Sequence, residues 1–151
     1  MDILLKQLDE YVEKYKTLKG AEYIVKNFDL SYIDLLKYYN FSDNNYTRNL
    51  IIQSQNIQIL LICWNCNQKS PIHNHPQQGC ILKLIEGELL EERYDIKEVN
   101  KISENKIKVN DISYIDNSIA YHRIINPSYR EKAVSLHIYS PIDFTPSLYD
   151  N

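Results

Sequence analysis

From Tyr46 onward the chain is a succession of short segments separated by turn residues, and this narrows the available folds more than any other feature. The segments are YTRNLII, IQILLICW, CILKLI, ELLEERYD, EVNKI, KIKV, ISYI, YHRII and AVSLHIYS. Turn residues stand between them at Ser54–Asn56, Gly87–Glu88 and Ser103–Asn105. Many short strands on such close spacing predict a mainly β chain folded as a barrel or sandwich. Before Tyr46 the period changes. Ile3, Leu4, Leu8, Tyr11, Val12, Tyr15 and Leu18 fall at helical spacing, with Gly20 as a stop. A short second helix is expected over Ala21–Asn27. A third is expected from Ser31, with Asp34 as its capping partner, to about Tyr39. Asn40–Asn45 reads as a loop, and the closing PIDFTPSLYDN, with two prolines, as irregular. The expectation is one domain over 1–151, helical to about 40 and β from about 46 to 144.

Composition excludes several function classes. Three glycines in 151 residues are too few for a Walker A loop or a GxGxxG fingerprint. Twenty acidic against 17 basic residues, a net charge of −3, argue against a nucleic-acid binder. No apolar run approaches ~18 residues, so no membrane-spanning helix is expected. The opening MDILLKQLDE lacks a signal-peptide pattern, and a cytoplasmic location is expected. Three cysteines suit free thiols or ligands better than a disulfide framework.

Only four histidines are present, and their placement is informative. His73 and His75 form H-x-H, and on a strand residues two apart face the same way. Two imidazoles on one face can chelate a metal. His122 lies on another expected strand and can supply a third ligand. His137 lies in the run Ser135-Leu136-His137-Ile138-Tyr139, where period two puts Ser135, His137 and Tyr139 on one face. A hydroxyl, an imidazole and a phenol facing inward are costly to bury without partners.

The segment IHNHPQQGCILKLIEGEL resembles the first metal-binding motif of cupin barrels, but without the carboxylate those barrels usually carry near Gly79 or Cys80. With that absence, four blocks together resemble the thiol dioxygenases, specifically the cysteine dioxygenase family: YTRNL, CW at Cys63–Trp64, H-x-H-x4-C at His73–Cys80, and the stretch from His122 to Pro141 containing SLHIYSP. The resemblance runs from Tyr46 to about Phe144. It implies a cupin-type jelly-roll β-barrel with N-terminal helices, one Fe(II) per chain, and O2-dependent oxidation of L-cysteine to cysteine sulfinic acid. The route implied is cysteine catabolism towards sulfite or taurine. By the same resemblance His73, His75 and His122 hold the iron. Three neutral ligands leave the metal its full charge, which favours an anionic sulfur. Arg48 binds the substrate carboxylate, for which a planar guanidinium is suited, and Tyr46 assists it. Cys80 and Tyr139 match a pair that forms a thioether crosslink, and Ser135 and His137 orient Tyr139. A monomer is implied.

Two other readings use overlapping residues. Relatives acting on 3-mercaptopropionate or cysteamine share the three-histidine site. Alternatively, Cys63, Cys66, His73 and His75 form C-x2-C-x6-H-x-H, which suits a tetrahedral zinc module without catalysis. Cys63 lies in the apolar run ILLICW, which speaks for burial instead.

Overall fold

Helix α1 (Asp2–Tyr15) places Leu4, Leu8 and Val12 in one buried row, and α2 (Glu22–Asn27) adds Val25. The structure is a computed structural model, and it describes residues 1–150. Helix α1 stops earlier than Gly20: Lys16 takes a left-handed conformation (φ 59°) and returns its N–H to the Val12 carbonyl. The expected third helix is instead two single 3-10 turns, Leu30–Tyr32 and Leu36–Tyr38. The cap there is Asp29, whose carboxylate accepts the Ser31 N–H at 2.9 Å, and the extended backbone of Ile33 separates the two turns.

Eight strands follow: β1 (Thr47–Gln53), β2 (Gln58–Trp64), β3 (Cys80–Glu86), β4 (Leu89–Tyr94), β5 (Lys101–Ile107), β6 (Ile112–Ile115), β7 (Tyr121–Ile125) and β8 (Ala133–Tyr139). They form two antiparallel sheets, one ordered β1-β2-β8-β3-β6 and the other β5-β4-β7. Lys101–Ile102 of the expected EVNKI and Lys106–Ile107 of the expected KIKV belong to one strand, β5, while Glu98–Asn100 lie in the turn before it. Ser103–Asn105 lies mid-strand, paired with Arg93, Glu92 and Glu91 of β4. Because β5 is a largely exposed edge strand, its polar residues are not turn signals. The turn lies before it, where the Asp95 carboxylate accepts N–H groups of Lys97, Glu98 and Asn100.

The five-stranded sheet is covered on both faces. Outside, α1 and α2 pack on Ile59, Leu61, Cys63, Ile81, Val134, Leu136 and Ile138. Inside, Ile62, Trp64, Leu82, Leu84 and Ala133 pack on Leu89, Ile107 and Ile124 near the other sheet. Two-sided coverage explains why β2 and β8 are buried at almost every position instead of alternating. At ~25 cal/mol per Å² of apolar surface, such a sheet concentrates most of the hydrophobic stabilisation at its centre.

Candidate active site

Three histidines meet between the sheets. His122 comes from β7. His73 and His75 do not sit on a named strand; they lie on the extended loop between β2 and β3. That loop borrows strand geometry at one point, where His73 N–H donates to the His122 carbonyl at 3.0 Å and His122 N–H donates back at 3.2 Å. His75 is held differently: Asn117 accepts its N–H and donates to its carbonyl, both at 2.8 Å. Ligand nitrogens of all three rings lie within 4.8 Å of one another. Among the described residues this is the only such cluster of three or more His, Cys, Asp or Glu.

Hydrogen bonds behind His73 and His122 set their tautomers, while His75 Nδ1 is buried without a partner. His73 Nδ1 lies 2.8 Å from the Pro71 carbonyl, which can only accept, so Nδ1 carries the hydrogen. His122 Nδ1 lies 2.8 Å from the Glu91 carboxylate. Burial pushes the Glu91 carboxyl up, but the bond from His122, the Arg93 charge and the bond from Ser113 outweigh it and hold it down to about 2. Burial, then the neighbouring His122, hold His73 down to about 3, and the same causes hold His75 well below the usual histidine range. The Nε2 atoms therefore converge, His73 to His122 at 3.2 Å and His75 to His122 at 2.9 Å. A single proton can bridge only one such pair at a time, whereas a cation between the rings satisfies all three lone pairs. Nitrogens about 2.1 Å from a metal and at right angles to each other are about 3.0 Å apart. The donor set and its spacing fit a divalent transition metal of the kind that accepts imidazole.

Beside the histidines runs a buried polar chain. Trp64 Nε1, which can only donate, gives a 2.9 Å bond to Ser135 Oγ. Ser135 Oγ lies 2.8 Å from His137 Nε2, and His137 Nδ1 lies 3.1 Å from Tyr139 Oη. Burial, with Arg48 nearby, holds His137 well below the usual range, so its ring is neutral. In the tautomer where Ser135 donates to Nε2, Nδ1–H donates to Tyr139. Arg48 Nη1 also donates to Tyr139 Oη, at 3.4 Å, with its guanidinium carbon 5.2 Å from the ring centre. The same phenol is in hydrogen-bonding contact with the Cys80 thiol across the strand pair. Tyr46, just before β1, stacks on Trp64 at 4.6 Å and lines the same cavity as Arg48.

Cys80 and Tyr139 are direct cross-strand partners of β3 and β8. Burial pushes the Cys80 thiol up to about 12 and raises the Tyr139 phenol as well, so both are protonated. Cys63 points the other way. Its side chain is in the cluster under α1, and its sulfur is 3.9 Å from the Tyr38 carbonyl. Neither it nor Cys66 joins His73 and His75, so the four-ligand zinc arrangement does not form. On a strand, a one-residue step separates Cys63 from the site-facing Trp64.

Two small cavities, each about 50 Å³, adjoin the histidines and share Arg48, His73 and Tyr139 in their walls. At ~10–15 Å³ per water-sized unit, the pair holds a molecule of roughly seven to ten such units. A larger groove of about 570 Å³ lies away from this chemistry, along α1 and α2.

Sequence reasoning did not single out Glu91 or give Trp64 a role. The signal for Glu91 was period two in β4, where Glu91 shares the face of the buried Leu89. A carboxylate on an inward face needs a partner.

The comparisons with known proteins agree with this geometry. Rat cysteine dioxygenase type 1 (Rattus norvegicus) is 40% identical over 110 residues, covering 69% of this chain and 55% of the relative. Human cysteine dioxygenase type 1 (Homo sapiens) is 36% identical over 130 residues, covering 82% and 65%. The chain thus spans between half and two thirds of these relatives. Among solved structures, a Klebsiella pneumoniae protein with a double-stranded β-helix domain superposes with a TM-score of 0.67 at 15% identity, covering 80% of this chain and 93% of that one. Oxalate oxidase in complex with glycolate gives 0.62 at 14% identity, covering 81% and 65%. Both show the cupin-like fold. The family model for cysteine dioxygenase type I matches residues 4–151, and the chain belongs to that family.

Proposed function

We propose that the chain catalyses the O2-dependent oxidation of L-cysteine to cysteine sulfinic acid, with one Fe(II) held by His73, His75 and His122. The observation that supports this most is that His73 and His122 of the histidine cluster line the same small cavity as Arg48. When bound, the iron would supply a redox-active Lewis acid for O2 and a site for the substrate thiolate. The chain's own residues do the rest. Arg48 presents a fork of donors to the substrate carboxylate and holds the molecule in one orientation. Tyr139, fixed by His137 and Arg48, offers its hydroxyl hydrogen to the reacting end. Ser135 and Trp64 hold His137 in a single tautomer, so that this donor does not rotate away. Leu82, Ile62 and Ile124 exclude water around the charged groups.

The cross-strand placement of Cys80 and Tyr139 supports a thioether between them. Forming that bond removes two electrons and two protons from the pair, with O2 as the acceptor. Cys80→Ala is expected to remove a mass difference of two hydrogens in the purified protein.

The test is oxygen uptake by the Fe(II)-loaded protein with L-cysteine, 3-mercaptopropionate and cysteamine, with products identified by mass. Stoichiometric cysteine sulfinate, dominant over the other two products, is expected because cysteamine has no carboxylate for Arg48 and 3-mercaptopropionate lacks the amine. Preference for another thiol would keep the metal site and overturn the substrate. No uptake with any of them, from protein shown to retain iron, would overturn the enzymatic reading.

A further inference from the structure

The segment after β8 has no regular element, as expected, but it is tied down by one isolated bridge and several side-chain contacts. Residues 147–149 pair with 72–74, the backbone that carries His73. Tyr149 N–H donates to the Ile72 carbonyl at 2.9 Å, Ser147 N–H donates to Asn74 Oδ1 at 2.8 Å, and Leu148 bridges to His73. The His73 segment is therefore the middle of a small ladder, with β7 on one edge and this strap on the other. Two contacts clamp the strap's end. Asp150 forms an ion pair with Arg123 of β7 while also accepting the Ile72 N–H. Tyr149 stacks on Tyr121 at 4.3 Å with the planes 6° apart. Arg123 is itself steadied by a 3.2 Å bond from Nε to the Ser70 carbonyl.

The strap closes the chamber. Leu148 lines the cavity containing His73, His122 and Trp64, and Pro146 lines that cavity and its neighbour. Leu148 is also 62% exposed, so one side faces the chamber and the other faces solvent. A leucine so exposed adds little to the core. Its position is explained by what it covers. The chamber's other walls mix strand residues such as Trp64, Ile124 and Tyr139 with Ser70, Pro71 and Asn74 of the loop between β2 and β3. The strap is clamped to that loop and to β7 through Tyr149 and Asp150.

Resting on the proposed thiol oxidation, we infer that Leu148 and Pro146 form the size-selecting wall of the chamber, and that the Asp150–Arg123 pair is the latch that keeps this wall closed. The wall admits a small amino thiol reaching Arg48 and excludes longer or branched thiols.

Trp64 is the chain's only tryptophan and lines the same cavity, so its fluorescence reports opening without metal or turnover. The experiment compares acrylamide quenching of metal-free wild type, Leu148→Gly and Asp150→Ala, with circular dichroism as the folding check. Because Leu148 and Asp150 are both exposed, the variants are expected to fold. The expected result is a quenching constant about threefold higher in each variant, as local opening becomes easier. Quenching equal to wild type in both would overturn the proposal. Iron-loaded Leu148→Gly is then assayed with cysteine and with homocysteine, which is one methylene longer. The ratio of kcat/KM should move towards homocysteine by about tenfold, the scale for one methylene in a pocket. Raised quenching with an unchanged ratio, in protein active on cysteine, would overturn size selection. If no thiol is turned over by wild type, the functional reading fails on its own, and the quenching data still decide whether the strap is a closed wall.

Discussion

Among the described residues Arg48 is the only cation that lines both cavities, and it also contacts Tyr139. Arg48→Ala is expected to lower kcat/KM for cysteine by about 100-fold or more through loss of a charge-assisted, forked contact. Iron content should stay at the wild-type level, since no histidine ligand depends on Arg48 for a hydrogen bond. Glu91 is a different case, because it acts through His122. Its ionised carboxylate fixes the tautomer that turns Nε2 inward. Glu91→Gln retains an oxygen acceptor but loses the charge, and Fe(II) affinity is expected to fall about 10- to 100-fold. Anaerobic metal titration checks this, and an affinity equal to wild type would remove Glu91 from its supporting role.

At the scale of elements, the connection from β3 to β4 leaves no room for a side chain. Gly87 sits there with φ +81°, and a Cβ would lie 2.4 Å from the Lys132 carbonyl and 2.9 Å from Ala133 Cα. Both are backbone atoms at the start of β8, so relief requires moving the strand that carries Ser135, His137 and Tyr139. The left-handed conformation alone costs an ordinary residue about 1–2 kcal/mol. Gly87→Ala should therefore lower unfolding stability by more than about 2 kcal/mol in urea titrations. At Gly20 the close atom is instead the hydroxyl of Tyr11, the far end of a side chain that can swing away. The same scale explains the β8 pattern. Ser135, His137 and Tyr139 face the chamber while Val134, Leu136 and Ile138 face α1 and α2, so a one-residue slip would exchange the polar row for the apolar one.

At the scale of the whole molecule, enclosing histidines between two sheets sets how the fold responds to acid. His137 remains neutral in the folded protein, because burial holds its pKa well below the usual range. The unfolded chain binds a proton at that residue below a pH of about 6.5. Between these limits the unfolded state carries the extra proton, so stability falls as pH drops, by about 1.4 kcal/mol per unit for this one group. Urea unfolding of metal-free protein at pH values above and below that point should show a slope shallower by one proton in His137→Gln. An unchanged slope would mean that His137 is charged when folded. The strand run after Tyr46, the helical spacing before Gly20 and the shared face of Ser135, His137 and Tyr139 were legible in the residues alone. Each depends on local periodicity, which a chain carries before it folds. The H-x-H spacing was legible too, although His73 and His75 lie on a loop and not on the strand that period two assumed, and the set of three with His122 was implied by the family resemblance. What pairs with what was decided only by tertiary structure. Glu91 meets His122 because β4 lies next to β7, and Trp64 meets Ser135 because β2 lies next to β8. Cys63 is turned away from His73 by the pleat of β2, although the spacing of the sequence placed them in one motif. The strap over the chamber had no periodic signal at all, since its two prolines and short pairing make sense only once the His73 segment offers a free edge. Periodicity is a property of neighbours along the chain, while tautomers, clamps and walls are properties of neighbours across it.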